Sequence, residues 1–293
     1  MKTALRQIGI ILWKDLLIDL RRKENLLAMV FFSLLTLLIF QFALGSADDL
    51  RYRLTPRALA MLENDGLSPA AHGDLQSLVG RTFATRNAFL QALQATGPQV
   101  VTGAERVAVL EAARRTTLQE GAPGLLWVTF LLAGLLGLSK SFSQERENGS
   151  MEGLLLTPAS RGTIYLGKMG SNALFLLLLL AMVLPLFALL YQISLWGVLL
   201  PLCAVLLAGV LGFAALGTLL GGMTSTLQGK EVLLPLLLFP LLAPILIIVV
   251  HLTGVILEGS PLAAEMDWVR LLAAVDAVFL IISYLVFDFV MET

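Results

Sequence analysis

The sequence contains few of the residues that build catalytic or metal sites. One cysteine, Cys203, and two histidines, His72 and His251, occur among the 293 residues. A single cysteine excludes an intramolecular disulfide and every paired-cysteine motif. A nucleophile elbow, an H-E-x-x-H motif and a cysteine cluster are also missing from the sequence. We therefore predict no catalytic residue, no metal site and no cofactor bound by this chain.

Charged residues are scarce as well, at 14% of the chain, whereas hydrophobic residues make up 57%. An average soluble domain has about 25% charged residues, so this composition indicates an integral membrane protein. The net charge is -1, and the sequence lacks a basic block of the kind that binds phosphate backbones. Membrane lipid is the expected environment, and nucleic acid is excluded as a partner.

A nucleotide-binding loop is also missing. The nearest sequence, GLLGLSKS at residues 134–141, lacks the second glycine of G-x-x-x-x-G-K-[ST] and ends an apolar stretch instead of following a strand. Any ATP that the function requires must therefore be hydrolysed by another chain.

The N-terminus does not have the uninterrupted apolar run of a cleavable signal peptide, because Lys14, Asp15 and Asp19 interrupt it. Residues 5–23 instead place apolar and polar side chains at helical spacing, and Trp13 can anchor at the level of the lipid headgroups. This pattern predicts an amphipathic helix that lies in the membrane interface.

Six apolar stretches are long enough to cross a hydrocarbon core of about 30 Å at about 1.5 Å per helical residue. The sequence thus predicts an all-α integral membrane protein with six transmembrane helices. The predicted spans cover residues 26–44, 121–139, two spans within 169–229, 230–257 and 268–290.

Aromatic and basic residues predict how these spans lie in the membrane. Trp127, Tyr191 and Trp196 are expected at an interface, the last two on a turn at residues 191–197. By the positive-inside rule the N- and C-termini are cytoplasmic. The basic residues that support this topology are Arg21, Arg22, Lys23, Lys140, Arg146, Arg161, Lys168 and Lys230.

Between the first two spans, charged residues recur and apolar residues are too dispersed to cross a bilayer. Segments 74–95 and 103–120 have amphipathic helical spacing, with Gly97-Pro98 as the turn between them. The chain therefore divides into residues 1–45 with the amphipathic helix and first span, an extracytoplasmic helical insertion at 46–120, and spans two to six at 121–293.

Several residues within the spans are unusual for apolar helices. Asp276 places a carboxylate in the sixth span, at a cost of about 2.5 to 3.5 kcal/mol, which requires a partner, a function or a shallow position. Cys203 is interpreted as a small buried residue. The fifth span contains three prolines that must kink or interrupt the helix: Pro235, Pro240 and Pro244.

The fourth span carries four glycines, and some of them have the small-xxx-small spacing that lets helices approach closely. This spacing fits packing within the bundle and also fits contact with a second copy. The glycines are Gly209, Gly212, Gly217 and Gly221.

A polar island at residues 141–168 separates the second and third spans. Asn148 and Ser150 suit the start of a short apolar helix over residues 150–156, and Glu152 falls where the helix dipole favours an anion. Pro158 then ends this helix, and Ser160 or Thr163 caps the next one. The island is either an ordinary loop or a cytoplasmic coupling loop with a coupling helix. The candidate ATPase-coupling residues are Glu145, Arg146, Glu147, Glu152, Pro158 and Arg161.

The island sequence ERENGSMEGLLLTPASRGTIYLGK, residues 145–168, resembles the loop between the second and third spans of ABC-2 type permeases. Three more stretches narrow the resemblance to the CcmB family, also called haem exporter protein B. They are KDLLIDLRRKENLLAMVFFSLLTLLIFQFA (14–43), LLPLLLFPLLAPILI (233–247) and WVRLLAAVDAVFLIISYLVFDFVMET (268–293). The insertion is longer than the link usual in this family.

The resemblance implies a membrane permease subunit in cytochrome c maturation, located in the bacterial inner membrane. Its implied partners are a CcmA-type ATPase and CcmC-type and CcmD-type membrane subunits, with a haem chaperone as a further possible partner. Haem is the possible cargo, and ATP binds the partner subunit. The proline-rich fifth span and Asp276 are its membrane-embedded functional candidates, whereas His251 is interpreted as a packed or interfacial residue in preference to a haem ligand.

The resemblance is compatible with haem export and with ATP-driven release of haem-loaded chaperone. Two further functions also fit the residues: an ABC-2 type exporter of a lipid, drug or polysaccharide, and a scaffold that assembles haem-handling subunits without transport.

Overall fold

The computed structural model describes residues 2–21, 23–44, 50–64, 69–96, 103–147, 160–224 and 230–290. Within these ranges, six helices are long and apolar enough to cross a membrane. They coincide with the six predicted spans, so the prediction of an all-α integral membrane protein is confirmed.

Two helices precede the insertion. α1 (Lys2–Arg21) is the predicted amphipathic helix, and α2 (Lys23–Leu44) is the first span. On α1, Ile11 and Asp15 are buried whereas Trp13 is 61% exposed. The helix therefore has one face packed on the protein and one face open to the surroundings, as its spacing predicts.

The insertion combines helices with a small antiparallel sheet, whose strands lie in the order β2-β1-β3. Its elements are β1 (Leu50–Arg53), α3 (Pro56–Asn64), α4 (Pro69–Gln76), β2 (Thr82–Phe83), α5 (Arg86–Thr96), α6 (Gly103–Ala113) and β3 (Arg114–Thr116).

The prediction of a purely helical hairpin is wrong in two places. The predicted helix at 74–95 is divided, because Gly80 turns the chain with a φ of 83° and the following strand β2 pairs with β1. The predicted helix at 103–120 ends at Ala113, where β3 pairs with the other edge of β1.

The insertion has a hydrophobic core of its own. Leu54 and Phe89 are fully buried, and the rings of Tyr52 and Phe83 lie 5.9 Å and 5.4 Å from the ring of Phe89. Most of the other buried residues come from the inner faces of α3, α4, α5 and α6, and Leu78 lies in the turn after α4. They are Ala58, Leu59, Leu62, Leu75, Leu78, Leu93, Val109, Leu110 and Ala113.

The remaining spans form one bundle. They are α7 (Thr117–Glu147), α8 (Arg161–Leu190), α9 (Leu199–Thr224), α10 (Lys230–Leu257) and α11 (Met266–Val290), with a 3-10 helix (Leu262–Glu265) before α11. The turn between α8 and α9 lies where the sequence predicts it, and Gln192 and Gly197 adopt positive φ values of 53° and 86° there.

α9 is at the centre of the bundle and packs against α7, α8, α10 and α11. Its glycines make this close approach possible, since a Cβ on Gly209 would meet the Trp127 ring and a Cβ on Gly217 would meet Leu138. The small-residue spacing at these positions therefore serves packing within the bundle.

Hydrogen bonds between spans complement this packing. The Trp127 indole N–H donates to Thr253 Oγ1 at 3.0 Å, and the Asn172 amide donates to Thr218 Oγ1 at 2.8 Å. Because lipid offers no competing partners, such bonds hold apolar helices together.

The burial of several residues differs from what the sequence predicts. Trp127 and Tyr191 are each only 2% exposed and lie inside the bundle, whereas Trp196 is 85% exposed. The predicted burial of Cys203 is wrong, because its side chain lies on the exposed surface of α9. In a uniformly apolar helix the sequence pattern does not distinguish the inner face from the outer one.

Candidate functional site

The polar island is shorter than its predicted bounds of 141–168. α7 continues to Glu147, so the backbone of Glu145, Arg146 and Glu147 forms its last turn, and α8 begins at Arg161. The short helix predicted at 150–156, with Glu152 and Pro158, lies outside the described residues.

α8 begins where the sequence predicts a helix to start after Pro158. Ser160 is the N-cap of α8, and its hydroxyl accepts the Thr163 backbone N–H at 3.3 Å. The two hydroxyls of Ser160 and Thr163 also lie 2.7 Å apart. The cap fixes the point where the chain enters the bundle, with Arg161 half-buried in the first helical turn.

This first part of α8 makes direct contacts with the end of α11. A Cβ on Gly162 would meet the ring of Tyr284, so the absence of a side chain lets the aromatic ring lie against the α8 backbone. The Tyr165 ring lies 6.4 Å from that of Tyr284 and 5.1 Å from that of Phe287. The Tyr165 hydroxyl also donates to the Ala215 carbonyl of α9 at 3.2 Å.

The amphipathic helix α1 packs along the same part of α8. A Cβ on Gly167 would meet Ile11, and a Cβ on Gly170 would meet Leu12. A displacement of the start of α8 would therefore act on α1, α9 and α11 together. The sequence analysis missed Gly162, Tyr165 and Tyr284, because only their contacts distinguish them from other residues of apolar helices.

Asp276 lies on α11 where that helix meets α9. Its Oδ1 is directed at the backbone of Gly212, where a Cβ would meet the carboxylate, and Ile245 of α10 borders the same space. Oδ1 is buried and has no hydrogen-bond partner among the described residues. The carboxyl group is thus half-buried in the protein at the glycine-lined contact between two spans.

The three prolines do not interrupt the fifth span, since α10 is helical throughout Lys230–Leu257 with Pro235, Pro240 and Pro244 inside it. Pro235 is half-buried, and the other two are exposed. The predicted interruption of this helix is therefore wrong. A helix can continue past a proline when the lost hydrogen bond is compensated locally or by neighbours.

His251 is packed, as the sequence analysis preferred. Its Nε2 lies 3.3 Å from Glu265 Oε2, and its ring lies 4.6 Å from that of Trp268. These contacts join α10 to the 3-10 helix and to α11. In the ranges that the structure describes, no three His, Cys, Asp or Glu residues form a group that could hold a metal ion.

An ion pair attaches the insertion to the hairpin that α10 and α11 form. Arg53 at the end of β1 contacts both carboxylate oxygens of Glu258, which follows α10, at 2.6 Å and 3.1 Å. Such a two-point arginine–carboxylate contact fixes orientation as well as distance. The insertion and the α10–α11 hairpin are therefore joined at one defined point.

Comparison of the sequence with known protein families identifies the family of this chain. The model of the CcmB protein family matches residues 112–292, more than half of the chain. This chain belongs to the CcmB family. The match begins at the end of α6, so the amphipathic helix, the first span and nearly all of the insertion lie outside it.

Individual CcmB relatives agree with this assignment. The chain is 35% identical over 157 residues to heme exporter protein B of Pseudomonas aeruginosa, covering 54% of this chain and 70% of that protein. It is 34% identical over 128 residues to heme exporter protein B of Haemophilus influenzae and 35% identical over 130 residues to that of Rhodobacter capsulatus. Each of these two alignments covers 43% of this chain and 57% of the relative. No solved structure matches the chain.

Proposed function

We propose that this chain is the membrane permease subunit of an ABC-type complex for cytochrome c maturation. The observation that carries the proposal is the CcmB family match over spans two to six, together with relatives named heme exporter protein B. The chain would not itself be catalytic, and ATP would be hydrolysed by a CcmA-type partner. CcmC-type and CcmD-type subunits would complete the complex in the bacterial inner membrane, with both termini of this chain cytoplasmic.

The segment between α7 and α8 is the proposed contact for the ATPase. Two features support this role: long helices lead into and out of it, and the exit helix is capped by Ser160 and packed on α1, α9 and α11. A movement of this segment would therefore reach three helices at once. The residues proposed to couple are Glu145, Arg146, Glu147, Glu152, Pro158 and Arg161.

Two outputs of this coupling are compatible with the proposal: export of haem, and release of haem-loaded chaperone. Asp276, at the contact between α11 and α9, and the prolines of α10 are the proposed membrane-embedded functional positions. A buried carboxylate oxygen that has no donor among the described residues is costly at membrane depth, which supports a functional role for Asp276.

The proposal is tested by deleting the gene and restoring it with variants. We expect the deletion to abolish haem attachment to c-type cytochromes, measured by haem staining of membrane fractions. The double charge reversal Glu145→Lys with Glu152→Lys should restore neither cytochrome c nor stimulation of the partner ATPase. Ser194→Ala, on the α8–α9 turn, is the control and should restore both.

Normal cytochrome c in the deletion strain would reject the proposal in favour of an exporter of another substrate. Full assembly with a partner ATPase that binds but does not hydrolyse ATP would instead favour a scaffold role.

A further inference from the structure

One face of the small sheet is turned away from the core of the insertion. Tyr52 and its register partner Phe83 pack on Phe89, so they define the core side of the sheet. Neighbouring positions along a strand belong to opposite faces. Positions 51 and 53 of β1, which are both arginine, therefore belong to the other face.

A third arginine belongs to this same face. Arg115 of β3 is the register partner of Arg51 across the antiparallel ladder. Directly opposed positions of such a ladder share one face, and like charges at opposed positions destabilise a sheet. We call the positions of Arg51, Arg53 and Arg115 the arginine face. Its composition favours an anionic ligand.

The chain itself supplies one anion to the arginine face. Glu258 contacts Nη1 and Nη2 of Arg53 through its two carboxylate oxygens. The Nε of Arg53 is buried and has no acceptor among the described residues. Glu258 offsets one of the three positive charges, and it fixes the side of the sheet that is turned toward the membrane bundle.

The arginine face lies at the level of the lipid headgroups. Glu258, which contacts Arg53, directly follows Leu257, the last residue of an apolar span. Arg115 precedes Gly121, where the apolar part of α7 begins, by six residues, or about 10 Å. The headgroup region adds about 5 to 8 Å to each side of the hydrocarbon core. Because a long arginine side chain can cover the remaining distance, lipid phosphates are within reach of this face.

We propose that the arginine face binds the phosphate of an anionic phospholipid headgroup and thereby holds the insertion on the membrane surface. Guanidinium groups match phosphate oxygens geometrically, and clustered basic residues next to a membrane attract anionic lipid. Inorganic phosphate offers the same oxygens, but lipid is already concentrated at this depth. The site therefore gives the insertion a second attachment beside the Arg53–Glu258 ion pair.

The test measures lipid binding to the full-length protein in detergent by native mass spectrometry, with phosphatidylglycerol and zwitterionic phosphatidylcholine as probes. Each basic residue near a membrane surface contributes about fivefold to the binding of anionic lipid. Arg115→Gln should therefore lower the phosphatidylglycerol affinity about fivefold, and Arg51→Gln with Arg115→Gln about twentyfold. Phosphatidylcholine binding should not change.

Arg86→Gln is the matched control. Arg86 is exposed in the same insertion, but it begins α5, the helix that packs Phe89 on the core side of the sheet. Its substitution removes the same charge and should leave the phosphatidylglycerol affinity unchanged. Equal losses at Arg115 and Arg86 would show a general effect of charge and would overturn the inference. Displacement of the lipid by inorganic phosphate would assign the site to a soluble anion and would also overturn it.

Protease resistance of residues 50–113 separates lipid binding from damage to the sheet. Without lipid, Arg115→Gln should be at least as resistant as the wild type, because it removes a like-charge contact. Phosphatidylglycerol should protect the wild type more than the Arg51 and Arg115 double variant, since a ligand stabilises the form that binds it. Arg115→Lys keeps the charge and should retain most of this protection. Equal protection of the wild type and the double variant would overturn the inference.

Neither measurement involves haem or ATP. Loss of the lipid effect would therefore leave the proposed function unchanged, and normal cytochrome c in the deletion strain would leave the lipid site unchanged.

Discussion

The insertion and the membrane bundle are built from similar apolar residues but held together differently. In the insertion, Phe89 and Leu54 are fully buried in a core that short helices and strands surround, so removal of apolar surface from water drives its folding. In the bundle, large apolar side chains such as Leu200 are also exposed, and close helix contact at Gly209 and hydrogen bonds such as that of Asn172 provide the specificity.

The two regions are nevertheless physically joined. β3 leads directly into α7, and the Arg53–Glu258 ion pair connects β1 to the hairpin between α10 and α11. The CcmB match starts at residue 112, close to the first of these connections. The separate cores of the two regions therefore predict that the insertion can unfold while the bundle stays folded.

The largest effect is expected for Phe89→Ala, which removes the ring at the centre of the insertion core. The loss should be about 3–5 kcal/mol, enough to unfold a unit of this size. Protease cleavage within residues 50–113 should increase sharply. The unfolding transition followed by tryptophan fluorescence should stay unchanged, because no tryptophan lies in the insertion.

Asn87→Ala, at an exposed position on the same helix, is the control and should leave the cleavage rate unchanged. A tryptophan-detected transition that shifts together with proteolysis would show that the two regions fold as one.

In the bundle, Gly209→Leu should cost about 1–3 kcal/mol, because the new side chain would overlap the Trp127 ring and approach Val249. Thermal unfolding in detergent, followed by tryptophan fluorescence, measures this effect. Gly124→Ala, where a Cβ meets nothing within 4 Å, should be neutral or slightly stabilising. Equal effects at both glycines would contradict the packing role of α9.

A smaller effect is expected from the Asn172–Thr218 hydrogen bond between α8 and α9. Double-mutant cycles within membrane bundles average about 0.6 kcal/mol per hydrogen bond and reach about 1.7 kcal/mol. We expect a coupling in this range from the cycle Asn172→Leu with Thr218→Val, measured by thermal unfolding. A coupling near zero would mean that this hydrogen bond does not contribute to the contact between α8 and α9.

The smallest effect should come from the Arg53–Glu258 pair, which joins the two regions. Both side chains are about 30% exposed, and pairs of this kind contribute about 0.2–1 kcal/mol. A cycle of Arg53→Gln with Glu258→Gln should therefore give a weak coupling that decreases as salt is added. A coupling independent of salt would indicate that the pair acts through packing.

The membrane part was largely predictable from sequence, because six long apolar runs allow few alternatives to helices. The small sheet was not predictable, since β1 reads LRYR and the other strands have two and three residues, too short for an alternating pattern. The exposure of Cys203 and the burial of Trp127 were missed because apolar residues surround both faces of their helices.

The candidate site was predictable only in outline. Ser160 as a cap follows from local sequence, because its hydroxyl satisfies a backbone group three residues away. The contact of Asp276 with Gly212 and that of Gly162 with Tyr284 join helices far apart in the chain. No local pattern encodes which turn of one span faces which turn of another.

The direct passage of β3 into α7 has a mechanical consequence. α7 has 31 residues, so this unbroken helix is about 46 Å long and exceeds the hydrocarbon thickness by about half. One of its ends is fastened to the sheet of the insertion and the other carries Glu145 to the proposed ATPase contact. A tilt imposed at one end of this helix displaces the other end, so a movement at the proposed ATPase contact would also move the sheet of the insertion.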